Sequence, residues 1–220
     1  MSFDIAVILA QAPQIFAGLA VTILIWIVGT LLAAALGFLV ATLRRYGGRF
    51  LDLVLVVPME IIRGTPFLVQ IFLLYFGGPF IGLRLDPIPA GLIGITIYGA
   101  AYYAEIFRAG YLSVPSGHIE AADCAGFSRI QTILYIHLPE MALLVLPPAF
   151  NMSVILLKET ALLSLITVPE MTMTVQAIGS QQYAFVESIV ILALVYWVLV
   201  EFANLLGRVA ERRFSYLGAA

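Results

Sequence analysis

Hydrophobic residues in this chain gather into five long runs that short polar segments separate. In approximate bounds, the runs cover residues 16–43, 53–80, 90–107, 140–157 and 183–206. A helix needs about 20 apolar residues to cross a bilayer, so the pattern predicts an all-α membrane protein with five transmembrane helices. The first run has no charged residue between Asp4 and Arg44. Because it is longer than a bilayer requires, this helix should tilt or extend beyond the membrane.

The second run, 53–80, is too long and too interrupted for one straight helix. Three residues that bend or end helices interrupt it: Pro58, Gly64 and Pro66. Glu60 and Arg63 are three residues apart, which predicts an ion pair on one helical face. We expect an approach helix followed by a membrane span over about residues 65–76.

The segment between the fourth and fifth runs, residues 161–182, mixes polar and apolar positions. It contains Pro169 and Gly179, which disfavour one long helix. We expect either a re-entrant piece or a surface piece here. The whole chain, 1–220, should form a single transmembrane domain.

Residues 115–139 form the only sizeable polar segment that lies between two membrane-length runs, and they predict a helical hairpin at the membrane surface. Ser116 can cap a helix that starts at Gly117, because a serine oxygen accepts hydrogen bonds from the free amides of a first turn. Gly126 stands where a residue in the left-handed conformation would end that helix. Three small residues give the helix a compact face: Ala121, Ala122 and Ala125.

A second helix should follow the reversal. Ser128 and Gln131 have the spacing of a capping box, which predicts a helix start. This helix should run to His137, and Pro139 should either end it or begin the next helix. A hairpin of this size has no core of its own, so it is stable only when it docks onto something else.

Composition supports the membrane assignment. The chain has 220 residues, a mean hydropathy of +1.06 and 11% charged residues, whereas a soluble domain carries roughly 25% charged residues. The net charge of -2 gives no indication of a nucleic-acid partner. The single cysteine, Cys124, excludes an internal disulfide bond.

The basic residues predict the orientation of the five spans. With five crossings, eight arginines fall on one side: Arg44, Arg45, Arg49, Arg108, Arg129, Arg208, Arg212 and Arg213. Arg84 and Lys158 fall on the other side. Basic residues near span ends favour the cytoplasm, so we expect the N-terminus outside, and the hairpin and the C-terminus inside.

The sequence gives no sign of catalysis. It lacks the glycine-rich P-loop pattern that binds nucleoside triphosphates, and it has no sizeable extramembrane domain that could capture a solute. His118 and His137 lie without a cysteine or carboxylate cluster at metal-ligand spacing, so we expect solvated or interfacial roles for both. We predict no cofactor, no metal and no enzymatic activity, so a transport function would need its energy source and its solute receptor on other chains.

Two sets of motifs resemble a known family. Glu120-Ala121-Ala122, then Gly126, then Ile136-x-Leu138-Pro139 resemble the EAA loop of the membrane subunits of bacterial type I ABC importers, at the spacing of that family. Arg63-Gly64-Thr65-Pro66 followed by Gln70 resembles the polar amino-acid branch of the family. The segment AYYAEIFR, residues 101–108, is also similar to that branch.

The resemblance implies a permease subunit in a bacterial cytoplasmic membrane. Such a subunit pairs with a second copy or a paralogue, binds two cytoplasmic ABC ATPases, and receives solute from an extracytoplasmic binding protein. The expected solute is a polar amino acid or a related compound such as an opine. The hairpin would couple the chain to the ATPases through Gly117, His118, Ile119, Glu120, Ala121, Ala122, Asp123, Gly126 and Phe127.

Polar side chains at membrane depth tend to face a cavity, because lipid cannot solvate them. Asn151 lies near the middle of the fourth run and Gln70 lies within the second. Lys158, Glu159 and Thr160 would sit at the outer mouth of a pathway, with Glu159 available to pair with an ammonium group. For each of these five residues, hydrogen bonding between helices or an interfacial ion pair is the competing role.

Two other functions are compatible with a small hydrophobic helix bundle. A channel or an ion-coupled secondary transporter would carry ionisable groups near the membrane midplane, whereas the charges here gather near the ends of the runs. A structural assembly subunit without a pathway is the third alternative.

Overall fold

A computed structural model describes the backbone of residues 10–215 and the side chains of residues 10–212. The predicted domain therefore extends at both ends beyond the described residues, and the Arg213 side chain lies outside them. The described part is helical and contains no strand. Its nine α-helices are α1 Ala12–Tyr46, α2 Gly48–Arg63, α3 Phe67–Phe72, α4 Pro87–Ser113, α5 Ser116–Cys124, α6 Arg129–Thr132, α7 Leu138–Glu159, α8 Met171–Gln181 and α9 Phe185–Ser215.

Four helical segments are long and apolar enough to cross a membrane: α1, α4, the continuous segment Arg129–Ile166, and α9. A fifth span forms if α2 and α3 are counted as one bent pair, with an angle of 104° between Gly48–Arg63 and Phe67–Ile81. A π-helical turn, Leu73–Gly77, and a 3-10 turn, Gly78–Ile81, continue α3. The prediction of an all-α membrane fold with a broken second span is confirmed.

Small residues bring α1 and α4 into close contact. A Cβ atom on Gly37 would lie 2.5 Å from Cβ of Tyr103 and 2.8 Å from the backbone nitrogen of Ala104. A Cβ atom on Gly99 would lie 2.8 Å from Cβ of Ala33, which is fully buried. Inside a membrane, helices associate through such close backbone approach, because apolar burial gives little driving force there.

Polar contacts hold the bend of the second span. The Gln70 amide donates to the carbonyl oxygen of Ile62 at 2.7 Å and to Oγ1 of Thr65 at 2.8 Å. It also donates to the carbonyl oxygen of Thr65 at 3.1 Å. These bonds satisfy carbonyls that are left without helical partners at the end of α2, so one side chain stabilises the break.

The segment between the fourth and fifth spans is a packed element. After a 3-10 turn, Thr160–Ile166, α8 packs against α1 and α9. Glu170 is fully buried and accepts hydrogen bonds from the backbone amides of Thr172 and Met173 at 2.8 and 2.7 Å, as a helix N-cap does. Burial raises the pKa of the Glu170 carboxyl, and its hydrogen bonds, including one from Tyr196, act in the opposite direction.

One predicted helix boundary of the hairpin is wrong. The first helix starts at Ser116 itself, with Pro115 as the N-cap, and the Ser116 side chain makes no cap hydrogen bond. The second helix runs from α6 through a π-helical turn, Ile133–His137, and α7 follows directly, which confirms the predicted extent to His137 and the predicted position of Pro139 at the beginning of the next helix. Pro139 occupies the first turn of α7. The wider π turn before it provides room for a residue that lacks an amide hydrogen.

Candidate coupling hairpin and translocation cavity

The reversal between α5 and α6 is a Schellman motif centred on Gly126. Gly126 has a φ angle of +76°. The amide of Phe127 donates to the carbonyl oxygen of Ala122 at 3.0 Å, and the amide of Gly126 donates to that of Asp123 at 3.0 Å. A Cβ atom on Gly126 would meet nothing within 4 Å, so the requirement for glycine is conformational. The predicted left-handed reversal is confirmed.

The predicted capping box at the start of α6 is also confirmed. The backbone amide of Gln131 donates to Oγ of Ser128 at 3.4 Å, and the backbone amide of Ser128 donates to Oε1 of the Gln131 side chain at 2.8 Å. These reciprocal bonds satisfy two amides that a helix start leaves free. The chain therefore leaves the reversal in a fixed direction.

The nine predicted coupling residues lie on α5 and the turn that follows it. Seven of them are exposed in the isolated chain: Gly117, His118, Glu120, Ala121, Asp123, Gly126 and Phe127. Ala122 is buried, and Ile119 packs against the core cluster that contains Tyr111 and Met141. The helix thus rests on the spans through two apolar residues and presents a small, polar face outward.

Two contacts that join the hairpin to the spans could not be predicted from the sequence. Nδ1 of His118 lies 2.9 Å from the Glu140 carboxylate, which begins the fourth span 22 positions later. Arg129 donates to the carbonyl oxygen of Tyr46 at 3.2 Å. Partners this distant share no local spacing signal.

The two histidines have opposite surroundings. His118 is exposed, as predicted. His137 is fully buried, with its ring centroid 4.8 Å from that of Tyr111 and 6.3 Å from that of Tyr46. The prediction of a solvated or interfacial role is therefore wrong for His137. The π-helical turn directs it into the tyrosine cluster, and a periodicity of 3.6 residues does not reveal this orientation.

A cavity of about 520 Å³ lies between the end of α2 and one side of α4 and α7. Its polar lining consists of Arg63, Tyr102, Glu105 and Asn151. The rest of the lining is apolar: Ile106, Ala109, Leu144, Pro148, Met152 and Ile155. The predicted pathway residue Asn151 therefore lies in a cavity, and it is exposed in the isolated chain.

The other four predicted pathway residues do not line this cavity. Gln70 stabilises the bend of the second span, as described above. Lys158 is exposed, and Glu159 is half-buried. Thr160 is buried and donates to the carbonyl oxygen of Leu157 at 2.7 Å. The structure thus separates Asn151 from the residues at the end of α7.

Glu105 is the centre of an ionic cluster at one end of the cavity. Nε of Arg108 donates to both of its carboxylate oxygens, at 2.9 and 3.0 Å, and Nη2 of Arg108 also contacts it. Nη1 of Arg63 lies 3.5 Å from Oε2 of Glu105, and Nη1 of Arg44 lies 3.8 Å from the same oxygen. One carboxylate therefore faces arginines from α1, α2 and α4.

Two further carboxylates complete the cluster. Nε of Arg44 donates to Oδ1 of Asp52 at 2.7 Å. Nη1 of Arg63 donates to Oε1 of Glu60 at 3.2 Å, which confirms the ion pair predicted from their spacing. The cluster holds three arginines and three carboxylates, so its formal charge is balanced. Of these contacts, only the pair of Glu60 and Arg63 was predicted from the sequence.

These features together define a class of protein. Three helices, α2, α4 and α7, line a cavity with charged residues, and a surface hairpin is anchored to the spans by packing and polar contacts. This is the architecture of a membrane transport permease.

The comparison with known proteins agrees with this class. Residues 33–216 match the family of binding-protein-dependent transport system inner membrane components, and the chain belongs to this family. It is a multi-pass permease subunit of an ABC importer, which is a non-enzymatic membrane component. The prediction of the family from the hairpin motif is confirmed, and the alternative of a channel or a secondary transporter is not supported.

Relatives of full length carry names from amino-acid transport. The chain is 35% identical over 219 residues to the glutamine transport system permease protein GlnP of Escherichia coli K12, covering 99% of this chain and 100% of the relative. It is 31% identical to the probable amino-acid ABC transporter permease protein YckA of Bacillus subtilis, covering 97% and 95%. A crystal structure of an amino acid ABC transporter matches with a TM-score of 0.87 at 30% identity, covering 97% of this chain and 100% of the other.

Proposed function

We propose that this permease forms the pathway for a polar amino acid or a related compound in an ATP-driven importer. The observation that carries the proposal is the cavity, whose lining combines a cation, an anion and an amide with apolar side chains. This combination suits a solute with a charged backbone and a variable side chain. The names of the relatives support the same class of solute.

The cavity also supports pairing with a second permease subunit, either a copy or a paralogue. Side chains of Arg63 and Glu105 keep 29% and 31% of their surface exposed in the isolated chain, and Asn151 is exposed. Charged groups facing lipid at membrane depth are costly. A second subunit would cover this face, whereas apolar residues such as Ile189 and Trp197 on α9 would face membrane lipid.

The hairpin is proposed as the contact to two separate cytoplasmic ABC ATPases. Its small residues allow close approach, and Glu120 is exposed for a basic partner on the ATPase. An extracytoplasmic binding protein would deliver the solute. We propose that the hairpin and the C-terminus face the cytoplasm and the N-terminus faces outward, because the arginines gather on the hairpin side.

Within the pathway, we assign solute contact to Asn151, and to Glu159 at the end of α7 with Lys158 and Thr160 beside it. Glu159 would attract the ammonium group of an arriving amino acid. Gln70 would act on the pathway by holding the bend of the second span.

Reconstitution tests the proposal. The permease and its cognate ATPase are reconstituted in liposomes with ATP on the side of the ATPase, and the binding protein is added on the opposite side. Uptake of labelled L-glutamine, L-arginine and L-cystine is then measured. Saturable uptake that requires ATP supports the function. Uptake that needs no ATPase, or that follows an ion gradient, would contradict it.

A further inference from the structure

We infer that Arg63 and Glu105 form a recognition site for the charged backbone of a zwitterionic solute. Arg63 would bind the α-carboxylate and Glu105 would bind the α-ammonium. The inference rests on the proposed transport of amino acids and names the residues that would recognise the part common to all of them. These two residues are the charged members of the cavity lining.

Glu105 is held in place from outside the cavity. Arg108, one helical turn further along α4, donates to both of its oxygens. Arg44 approaches it from α1, and Asp52 in turn fixes Arg44 at 2.7 Å. Neither Arg44 nor Arg108 lines the cavity. The Glu105 carboxylate is therefore oriented in advance, as a binding group needs to be.

The contact between Arg63 and Glu105 is loose. The 3.5 Å between Nη1 and Oε2 is an ion-pair distance, and no hydrogen bond joins the two side chains. The one hydrogen bond that the Arg63 guanidinium donates within the described residues goes to Glu60, which does not line the cavity. A guanidinium has five N–H donors, so Arg63 retains donors for a further anion.

The chemistry of the pair matches a zwitterion. A guanidinium binds a carboxylate through two parallel hydrogen bonds, and a carboxylate accepts from an ammonium. Both interactions are stronger inside a cavity than in water, because the surroundings screen charge less. A ligand that carries both charges would replace the loose contact with two well-formed ones and leave the cluster balanced.

The remaining lining can accommodate the variable part of the solute. Asn151 lies on α7, and its amide makes no hydrogen bond within the described part of the chain, so it can bind a polar side chain. Ile106, Met152 and Ile155 offer an apolar wall for methylene groups. The charged pair would thus set the class of solute, and α7 would discriminate within that class.

A direct measurement of solute binding to the permease tests the assignment. The binding protein is left out, because it selects solutes by itself. The permease–ATPase complex is placed in nanodiscs, and labelled L-glutamine, L-arginine or L-cystine is bound at equilibrium. Three competitors follow: the unlabelled amino acid, its α-amide, which lacks the carboxylate, and its Nα-acetyl form, which lacks the ammonium. We expect the wild-type complex to bind each derivative about tenfold more weakly than the amino acid, or worse, as for the loss of a charged hydrogen bond.

Each variant should lose one kind of discrimination. Arg63→Gln should bind the amino acid and the α-amide equally while still rejecting the Nα-acetyl form. Arg63→Lys keeps the positive charge but lacks the two parallel N–H donors of the guanidinium, so it should recover part of the preference for the carboxylate. Glu105→Gln should show the reverse pattern. Glu60→Gln is the matched control, because it removes the other partner of Arg63 outside the cavity, and it should resemble the wild type.

The outcomes separate this inference from the proposed function. If the binding of all three competitors is weakened equally in both variants, the inference is overturned, and Arg63 and Glu105 form only a structural ion pair between helices. Discrimination that stays intact in both variants, or wild-type complex that shows no saturable binding, would also overturn it, even if uptake of amino acids in liposomes stands. A wild-type system that takes up no amino acid with ATP would instead remove the proposed function.

Discussion

The hairpin and the cavity differ in how the chain builds them. The hairpin reversal is held by bonds between residues three to five positions apart, around Gly126 and Ser128. The cavity depends on contacts such as that between Arg44 and Glu105, which belong to different helices. Local bonds set the direction of the reversal, whereas the cavity exists only when α2, α4 and α7 are packed together. The two regions should therefore respond differently to mutation.

The largest effect should come from Gly126→Val. A β-branched residue at a φ angle of +76° is strained by about 1–2 kcal/mol, so α5 should lose its direction relative to α6. We expect a complex that inserts into the membrane but loses solute-stimulated ATP hydrolysis, measured in nanodiscs with the binding protein.

Two controls sharpen this test. Gly82→Val introduces the same kind of strain at a φ angle of +83°, with nothing within 4 Å, but outside the hairpin. It should retain stimulation. Gly126→Asn, which tolerates the left-handed conformation, should retain most of it. Normal stimulation in Gly126→Val would show that this hairpin is not the coupling element.

Substitutions in the pathway should affect solute affinity and leave coupling intact. Asn151→Ala and Glu159→Gln should each raise the solute concentration for half-maximal uptake about three- to tenfold, as expected for one lost polar contact. Maximal uptake should change less. Glu201→Gln, on the exposed face of α9, serves as the control for a neutralised charge. If both pathway variants match this control, neither residue belongs to the solute site.

Loss of the capping box should have a smaller effect on the hairpin. Ser128→Ala removes the acceptor of one amide, which costs about 0.5–2 kcal/mol in a helix N-cap. We expect partial loss of stimulated ATP hydrolysis and faster hydrogen exchange at the start of α6. Unaltered exchange there would mean that packing alone sets the direction of α6.

The smallest effect should come from the pair of His118 and Glu140. Both side chains are partly exposed, with 56% and 34% of their surface accessible, and such pairs contribute at most about 1 kcal/mol. A double-mutant cycle with His118→Ala and Glu140→Ala should therefore give a small coupling energy in stimulated ATP hydrolysis. A coupling energy of zero would mean that the 2.9 Å contact does not help to hold α5.

The outcome of the sequence predictions follows the same division. Gly126, the capping box and the pair of Glu60 and Arg63 were predictable because their partners lie within one helical turn. The prediction that Ser116 caps the first helix was wrong, because Pro115 directly before it is the N-cap. Here the preference of serine for the N-cap position competed with that of the proline before it, and the proline occupies the position.

Residues with distant partners could not be placed. The π-helical turn that carries α6 into α7 was not predicted, because the pattern of apolar residues does not reveal a π turn. The role of Gln70 at the bend was missed because its acceptors include a carbonyl eight positions earlier. For Glu105, the contacts with the arginines on α1 and α2 were missed because these partners lie on other helices.

Cys124 offers the most direct test of the central claim, that the hairpin docks onto an ATPase in the cytoplasm. It is the single cysteine of the chain and is exposed at the end of α5, so the wild-type protein can be labelled without mutation. The rate of labelling by a membrane-impermeant maleimide is measured in inside-out vesicles, with and without bound ATPase. We expect ready labelling of the permease alone and a several-fold slower rate in the complex. Equal rates with and without the ATPase, or labelling only in right-side-out vesicles, would contradict the account.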